Sequence, residues 1–278
     1  MNFRSTVLLT AAAVQVLSFV SLAAGQASGP TAAAQPGKVE LTYETSKDAT
    51  YLTRSWAVGG NRIEAKTSLA KLTIGGKPVQ VAGWTGKAGS RLGFDSDGDG
   101  LVMNEEYRNV DQNGSVTLTA MSDGRELSIR CTNVEMQYDA KKAEVTLMRW
   151  RMQCLYSWVG EIDSVSIRII DDNVDGRYGH DGLDAILIGD AQLAIPLRHY
   201  HLIGDHFYKL EIDKTGSSLK FLQIKFPSLG LVRSPLPAKT LMGLVLENGA
   251  GTFDVQTSAK TGIPPGTYHL AYGAIGDG

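Results

Sequence analysis

The chain has 278 residues and a formal net charge of -2. That length holds one large or two ordinary domains with a sizeable core, and the near-neutral charge argues against a nucleic-acid partner. The 31 glycines, set among short runs of Val, Ile, Leu and Thr, point to β structure.

Arg4, followed by the apolar run from Val7 to Ala24, reads as an export signal over residues 1–25. Cleavage is expected at Ala23-Ala24-Gly25 or Gly25-Gln26-Ala27. No later run is apolar enough to cross a bilayer, so no membrane span is expected after signal removal. The protein is therefore expected in the periplasm, at the cell surface or outside the cell. Residues 26–38, with Pro30, Pro36 and an alanine run, read as a flexible linker.

From Val39 the chain reads as strands. V-E-L-T-Y-E alternates apolar and polar residues. The runs Tyr51 to Val58 and Arg62 to Ile74 follow, broken by Gly59-Gly60-Asn61 and Gly75-Gly76-Lys77, which are hairpin signals. K-P-V-Q-V-A-G-W is the next strand. Ser115 to Ala120, Glu126 to Tyr138 and Ala143 to Val159 continue the pattern, with turns at Asp123-Gly124 and Asp139 to Lys142. No long stretch carries a helical period. The expected fold is mainly β, an antiparallel β-sandwich of two β units with acidic loops between strands. Cys131 and Cys154 are the two cysteines. Export permits a disulfide between them; their strand-like surroundings suit two buried thiols equally, and their spacing is not that of metal ligands.

Between these strands Phe94 to Tyr107 reads F-D-S-D-G-D-G-L-V-M-N-E-E-Y. Asp95, Asp97 and Asp99 alternate, Gly100 follows, and Glu106 closes a D-x-D-x-D-G-x5-E pattern. A hard cation such as Ca2+ takes six to eight oxygens, and this spacing supplies them from one short segment. The three aspartates give side-chain oxygens, Leu101 its backbone carbonyl, and Glu106 both carboxylate oxygens. Met103 stands where a water usually serves, and Gly100 allows the sharp turn. The twelve residues resemble an EF-hand loop. Gly83, Gly86, Gly89 and Gly93 break any helix before it, and D-Q-N-G-S turns the chain soon after. The resemblance thus extends to ligand roles and not to the helix-opening switch. The alternative is a solvated acidic turn, in which three alternating carboxylates repel one another.

A second acidic loop reads I-I-D-D-N-V-D-G-R-Y-G-H-D-G-L-D after Val165 to Ile170. Asp171, Asn173 and Asp175 alternate, Gly176 takes the turning position, and Arg177 would offer its carbonyl. The twelfth position is Gly182 instead of Glu. Asp184 is the preferred substitute ligand and Asp181 the second choice. The loop resembles the looser EF-hand-like calcium loops found between strands in extracellular modules, and an Asp/Asn/Gly-rich β-turn fits the same composition. Each acidic loop is followed by a similar turn, Asp111 to Ser115 and Asp213 to Ser217, which hairpin chemistry explains without duplication.

Residues 39–226 read as one β-rich domain carrying both acidic loops, with strands at Leu197 to Leu202, His206 to Ile212 and Ser218 to Phe226. A break at Pro227 to Pro237 precedes a small β-sandwich-like segment, 238–278. Its strands are expected at Thr240 to Leu246, Thr252 to Thr257 and Thr267 to Tyr272. G-I-P-P-G-T-Y-H-L resembles an edge of small transthyretin-like or carboxypeptidase-regulatory-like β-sandwiches, and the end of the chain so soon after a strand suits a complete or an incomplete segment alike.

No nucleophile elbow, Walker A loop, dinucleotide fingerprint or H-E-x-x-H is present. His199 and His201, two apart on a strand, could take zinc with Asp205 or His206; a polar strand face is the favoured account. Glu105, Glu106, Glu135, Glu161 and Glu211 offer no spacing that selects a glycosidase pair. Trp56, Trp84, Trp150 and Trp158 suit core packing better than sugar stacking. The expected function is that of an exported calcium-binding protein in which Ca2+ clamps inter-strand loops and stabilises the fold. A calcium-dependent carbohydrate or cell-surface binding module is the alternative, with a polysaccharide as partner, and a hydrolase ranks last.

Overall fold

The computed structural model describes residues 30–45, 62–63, 69–74, 77–86, 89–97, 99–122, 124–139, 144–191, 194–230, 241–248, 251–254 and 262–275. The expected export signal and its cleavage point lie outside the described residues. Among the described residues the regular structure is β, apart from one 3-10 turn at Asn104–Glu106. No helix there is long and apolar enough to cross a membrane.

The chain forms two compact units. The larger comprises Val39–Leu197 and Ile212–Leu219; the smaller comprises Arg198–Glu211, Lys220–Gly278 and the described residues up to Lys38. The sequence division runs along the chain at the proline segment, whereas these units interleave in it. Residues 231–240 of that segment lie outside the described residues.

Three antiparallel sheets make the larger unit. One runs Leu69–Ile74, Lys77–Gly86, Gly89–Phe94, Tyr107–Asn109 in spatial order. A second runs Arg62–Ile63, Glu144–Cys154, Arg125–Asp139, Ser115–Ser122. The third runs Ile195–Pro196, Ala185–Ile188, Val165–Ile170, Tyr156–Ile162, Thr42–Thr45. Alternation decides which faces meet. Val116, Leu118 and Ala120 are buried while Thr117, Thr119 and Met121 are exposed, as a two-residue period requires. Those three pack with Val81, Leu92, Phe94, Leu127 and Ile129 in one core shared by the first two sheets. The arrangement is that of a β-sandwich.

Cys131 and Cys154 sit in this core as free thiols, and burial pushes both upward in pKa. Of the two alternatives left by the sequence, buried thiols are what the structure contains. Around the third sheet Tyr43 stacks on Tyr156 at 4.8 Å between ring centroids. Trp158 meets Tyr43 at 4.9 Å and the edge of Tyr178 at 6.2 Å.

A further sheet, most of whose residues belong to the smaller unit, pairs Thr31–Ala32 and Gly37–Glu40 with Ser218–Lys225, followed in order by His206–Ile212 and Tyr200–Ile203. The first two strands occupy part of the segment read as a linker. The outer backbone groups of Ser218–Lys225 need partners, and Thr31, Ala32 and Ala33 supply them, with the Ala33 N–H on the Gln223 carbonyl at 2.9 Å. A three-stranded sheet, Thr252–Asp254, Leu241–Glu247, His269–Ile275, matches the expected C-terminal strands. Leu202, Phe207, Ile224, Leu246, Phe253, Ile263 and Tyr268 form this unit's core.

Candidate metal centre

The first acidic loop joins Gly89–Phe94 to Tyr107–Asn109, neighbours in one sheet. Strands therefore flank it on both sides, where the glycines upstream had excluded only a helix. The Asp95 N–H donates to the Gln80 carbonyl at 2.9 Å and pins the loop's start to the adjacent strand. At Gly93 an added Cβ would lie 2.6 Å from Val102 Cγ1, so only glycine lets the far side of the loop return this closely.

Within the loop, carboxylate oxygens take backbone N–H groups at fixed intervals. Oδ2 of Asp95 accepts from Gly100 at 3.0 Å, Oδ1 of Asp97 from Asp99 at 3.1 Å, and Oδ1 of Asp99 from Leu101 at 2.7 Å. Gly100 has φ +88°, the left-handed conformation that reverses the chain. The result is an acidic cluster able to hold a metal ion: one oxygen from each of Asp95, Asp97 and Asp99 lies within 4.8 Å of the others. Asp95 is buried and the other two are exposed.

Glu106 stands outside that set. Its Oε1 accepts from the Ser96 N–H and hydroxyl, both at 2.5 Å, and its Oε2 from the Met103 N–H at 2.9 Å. Partial burial acts to raise its carboxyl, and the hydrogen bonds from Ser96, Met103 and Asp97 outweigh it and hold the group below the usual glutamate range. Glu106 thus closes the loop as an ionised acceptor. Leu101 and Met103 expose their side chains at 58% and 46%, so the loop uses these positions for their backbone. A cleft of about 220 Å³ lies beside it, bordered by Ser96, Glu106, Arg108, Thr117, Thr119 and Met121.

The second acidic loop joins Val165–Ile170 to Ala185–Ile188, also neighbours in one sheet. Oδ2 of Asp171 accepts from Gly176 at 2.7 Å, Oδ1 of Asn173 from Asp175 at 3.3 Å, and Oδ1 of Asp175 from Arg177 at 2.9 Å. Gly176 has φ +79°. Each of these bonds has its counterpart at the same spacing in the first loop. Arg177 accordingly holds the backbone position of Leu101. Val174 is in the left-handed region at φ 59° with its side chain in the core; such a conformation costs about 1–2 kcal/mol in a β-branched residue.

The environment differs from the first loop. Asp171 and Asp184 are fully buried and Asp172 nearly so. Burial and then repulsion from neighbouring carboxylates push Asp171 up to about 7 and Asp184 up to about 9, against backbone hydrogen bonds that act the other way. Asp184 Oδ2 accepts from the His180 N–H at 2.7 Å. His180 Nδ1 lies 3.2 Å from Asp175 Oδ2, without hydrogen-bond alignment. Among the described residues no three acidic or histidine side chains of this loop come within the span seen in the first. Asp181, the second-choice ligand, is exposed. The burial of Asp172 and the approach of His180 were invisible to a reading by alternate positions, since Asp172 falls between two of them.

The histidine grouping is not formed. His199 precedes the strand Tyr200–Ile203 and is exposed, whereas His201 is fully buried, its Nε2 accepting from the Arg198 N–H at 3.0 Å. The two-residue period fails because it applies only once the strand has begun. Asp205 is exposed in the following turn and His206 at the start of the next strand. Glu105 and Glu161 are exposed, and Glu211 pairs with Lys209 at 2.8 Å. Trp158 is buried, as core packing requires; Trp56 and the side chains of Trp84, Trp150 and Glu135 lie outside the described part. No family model matches the chain, and neither a curated protein nor a solved structure matches it.

Proposed function

We propose that this is an exported calcium-binding protein in which Ca2+ occupies the Asp95–Glu106 loop and clamps the connection between two paired strands. The observation that carries this reading is the convergence of Asp95, Asp97 and Asp99 oxygens within 4.8 Å on a loop whose backbone N–H groups hold the same carboxylates. An all-oxygen donor set selects a hard cation, and a loop with several carboxylates suits calcium better than magnesium, which keeps its waters. Asp95, Asp97, Asp99, the Leu101 carbonyl and Glu106 would hold the ion. Its charge would offset the repulsion among carboxylates that otherwise works against the turn.

Calcium bound only to the folded chain adds RT ln(1 + [L]/Kd), about 2.7 kcal/mol at a hundredfold excess of free ion over Kd. Extracellular sites function at affinities on the order of 10⁻⁴ to 10⁻³ M. The test is thermal unfolding in millimolar calcium and in excess chelator. Wild type should melt about 5–10 °C higher in calcium, and Asp97→Ala should lose much of that difference. A wild-type melting temperature indifferent to chelator would remove the reading.

The cleft beside the loop favours a second reading, a calcium-dependent carbohydrate or cell-surface binding module. Ser96, Thr117, Thr119 and Arg108 give it a polar border suited to a hydroxyl-rich ligand. Retention on a polysaccharide resin, dependent on calcium and lost in Arg108→Ala, would support it; passage through such resins with calcium present would not.

A further inference from the structure

We infer that the second acidic loop is a separate divalent-cation site, more deeply buried than the first, and closed by Asp184 in place of a twelfth-position glutamate. The inference shares with the proposed function the premise that the chain meets calcium, and it does not depend on occupancy of the first loop.

The hydrogen-bond frame sets the stage. Asp171, Asn173 and Asp175 hold Gly176, Asp175 and Arg177 as Asp95, Asp97 and Asp99 hold Gly100, Asp99 and Leu101. A frame of this kind also forms in plain Asx turns, so it does not by itself require an ion.

The independent observation is Asp184. Its side chain is fully buried, Oδ2 accepts the His180 N–H from within the loop, and Oδ1 has no hydrogen-bond partner among the described residues. Asp171, also fully buried, acts on it electrostatically, as do Asp175 and Asp172. Neither Asp171 nor Asp184 forms an ion pair among the described residues. A buried carboxylate is tolerated when it is paired or binds a metal. Two of them in one loop, within electrostatic reach of each other and one with an idle oxygen, describe a place prepared for positive charge.

Asp184 is well placed to be rigid. It stands immediately before the strand Ala185–Ile188. Its carbonyl accepts from Leu197 at 2.8 Å, its N–H donates to the His180 carbonyl at 3.1 Å, and Gly182 donates to the Leu197 carbonyl at 2.7 Å. Gly179 and Gly182, both at positive φ, let the chain turn before it reaches this point. A ligand on a strand end needs no flexible twelfth-position arm, which accounts for the glycine where Glu would stand. The donors are Asp171, Asn173, Asp175, the Arg177 carbonyl and Asp184, all oxygen, so the ion is a hard divalent cation of the calcium class. It would take over Asp175 from the His180 contact.

The test counts calcium on the full chain by equilibrium dialysis with elemental analysis. Wild type should bind two ions, Asp97→Ala one, and Asp184→Asn one. Asp97 is exposed on a surface loop, so the Asp97→Ala count remains decisive even if Asp184→Asn fails to fold. One ion retained by Asp97→Ala and absent from Asp97→Ala/Asp175→Ala supports the second site. An Asp97→Ala chain that binds none overturns it, while leaving the first loop's reading intact. A wild type that binds one ion, kept in Asp97→Ala, supports the second site and removes the first.

Discussion

The backbone N–H of Gly100 donates to Oδ2 of Asp95 at 3.0 Å, five residues back along the chain. That single bond folds the first acidic loop over its own first ligand, and it forms because Gly100 adopts φ +88°. A Cβ at this position would meet nothing nearer than Gln80 Nε2 at 3.7 Å, so the cost of a side chain is conformational and not steric. Gly100→Ala should lower stability by about 1–2 kcal/mol and weaken calcium binding, with Gly100→Asn less affected because Asn tolerates this region. Urea unfolding with and without calcium measures both. An alanine variant as stable as wild type would show that the loop does not need the turn.

Gly216 makes the opposite case. It too has positive φ, +79°, but a Cβ there would lie 2.2 Å from the Trp158 ring and 2.9 Å from Tyr178. Both rings are buried in the aromatic group of the larger unit. Gly216→Ala should therefore cost about 3 kcal/mol or more, adding overpacking to backbone strain. Gly124, at φ +75° with open space around it, is the control, and Gly124→Ala should cost about 1 kcal/mol. Equal losses by urea unfolding would contradict the packing argument.

His201 gives the smaller unit a dependence on pH. Burial, reinforced by the Arg198 charge, holds its imidazole down at about 4, below the ordinary value near 6.5. On acidification the unfolded chain takes the proton first. The stabilisation is therefore complete above about pH 6.5 and is lost as pH falls through about 4, up to roughly 3 kcal/mol in all. Stability measured across that window should fall less steeply in His201→Gln than in wild type. Parallel curves would mean that His201 is not kept neutral by the fold.

Glu247 is buried with Arg198 Nη2 at 3.3 Å and His269 Nε2 at 2.8 Å. Removing the carboxylate leaves the partly buried guanidinium without this counter-charge. Glu247→Ala should cost about 3 kcal/mol, and Glu247→Gln less, since an acceptor oxygen remains. Denaturant midpoints of the two variants give the comparison; an alanine variant equal to wild type would show that the pair is replaceable by water.

The sheets were legible because their chemistry is local. The alternation of Val116, Leu118 and Ala120 with Thr117, Thr119 and Met121 announces a half-buried strand. The spacing of Asp95, Asp97, Asp99 and Gly100 announces the first loop. What stayed hidden depends on residues far apart in the chain. Thr31 and Ala32 pair with Lys225 and Ile224, and nothing in an alanine- and proline-rich segment announces that partner. Glu247 meets Arg198 across 49 positions. The parity of His199 and His201 misled because the strand starts between them, at Tyr200. Burial itself separates the two acidic loops, and burial is a property of the packed fold, which similar loop sequences do not reveal.

Crystals grown in calcium and measured at long wavelength would test the central claim by anomalous scattering. A peak at about 2.3–2.6 Å from oxygens of Asp95, Asp97 and Asp99, absent from Asp97→Ala crystals, is the predicted result. Well-ordered side chains around that point with no anomalous density would contradict it.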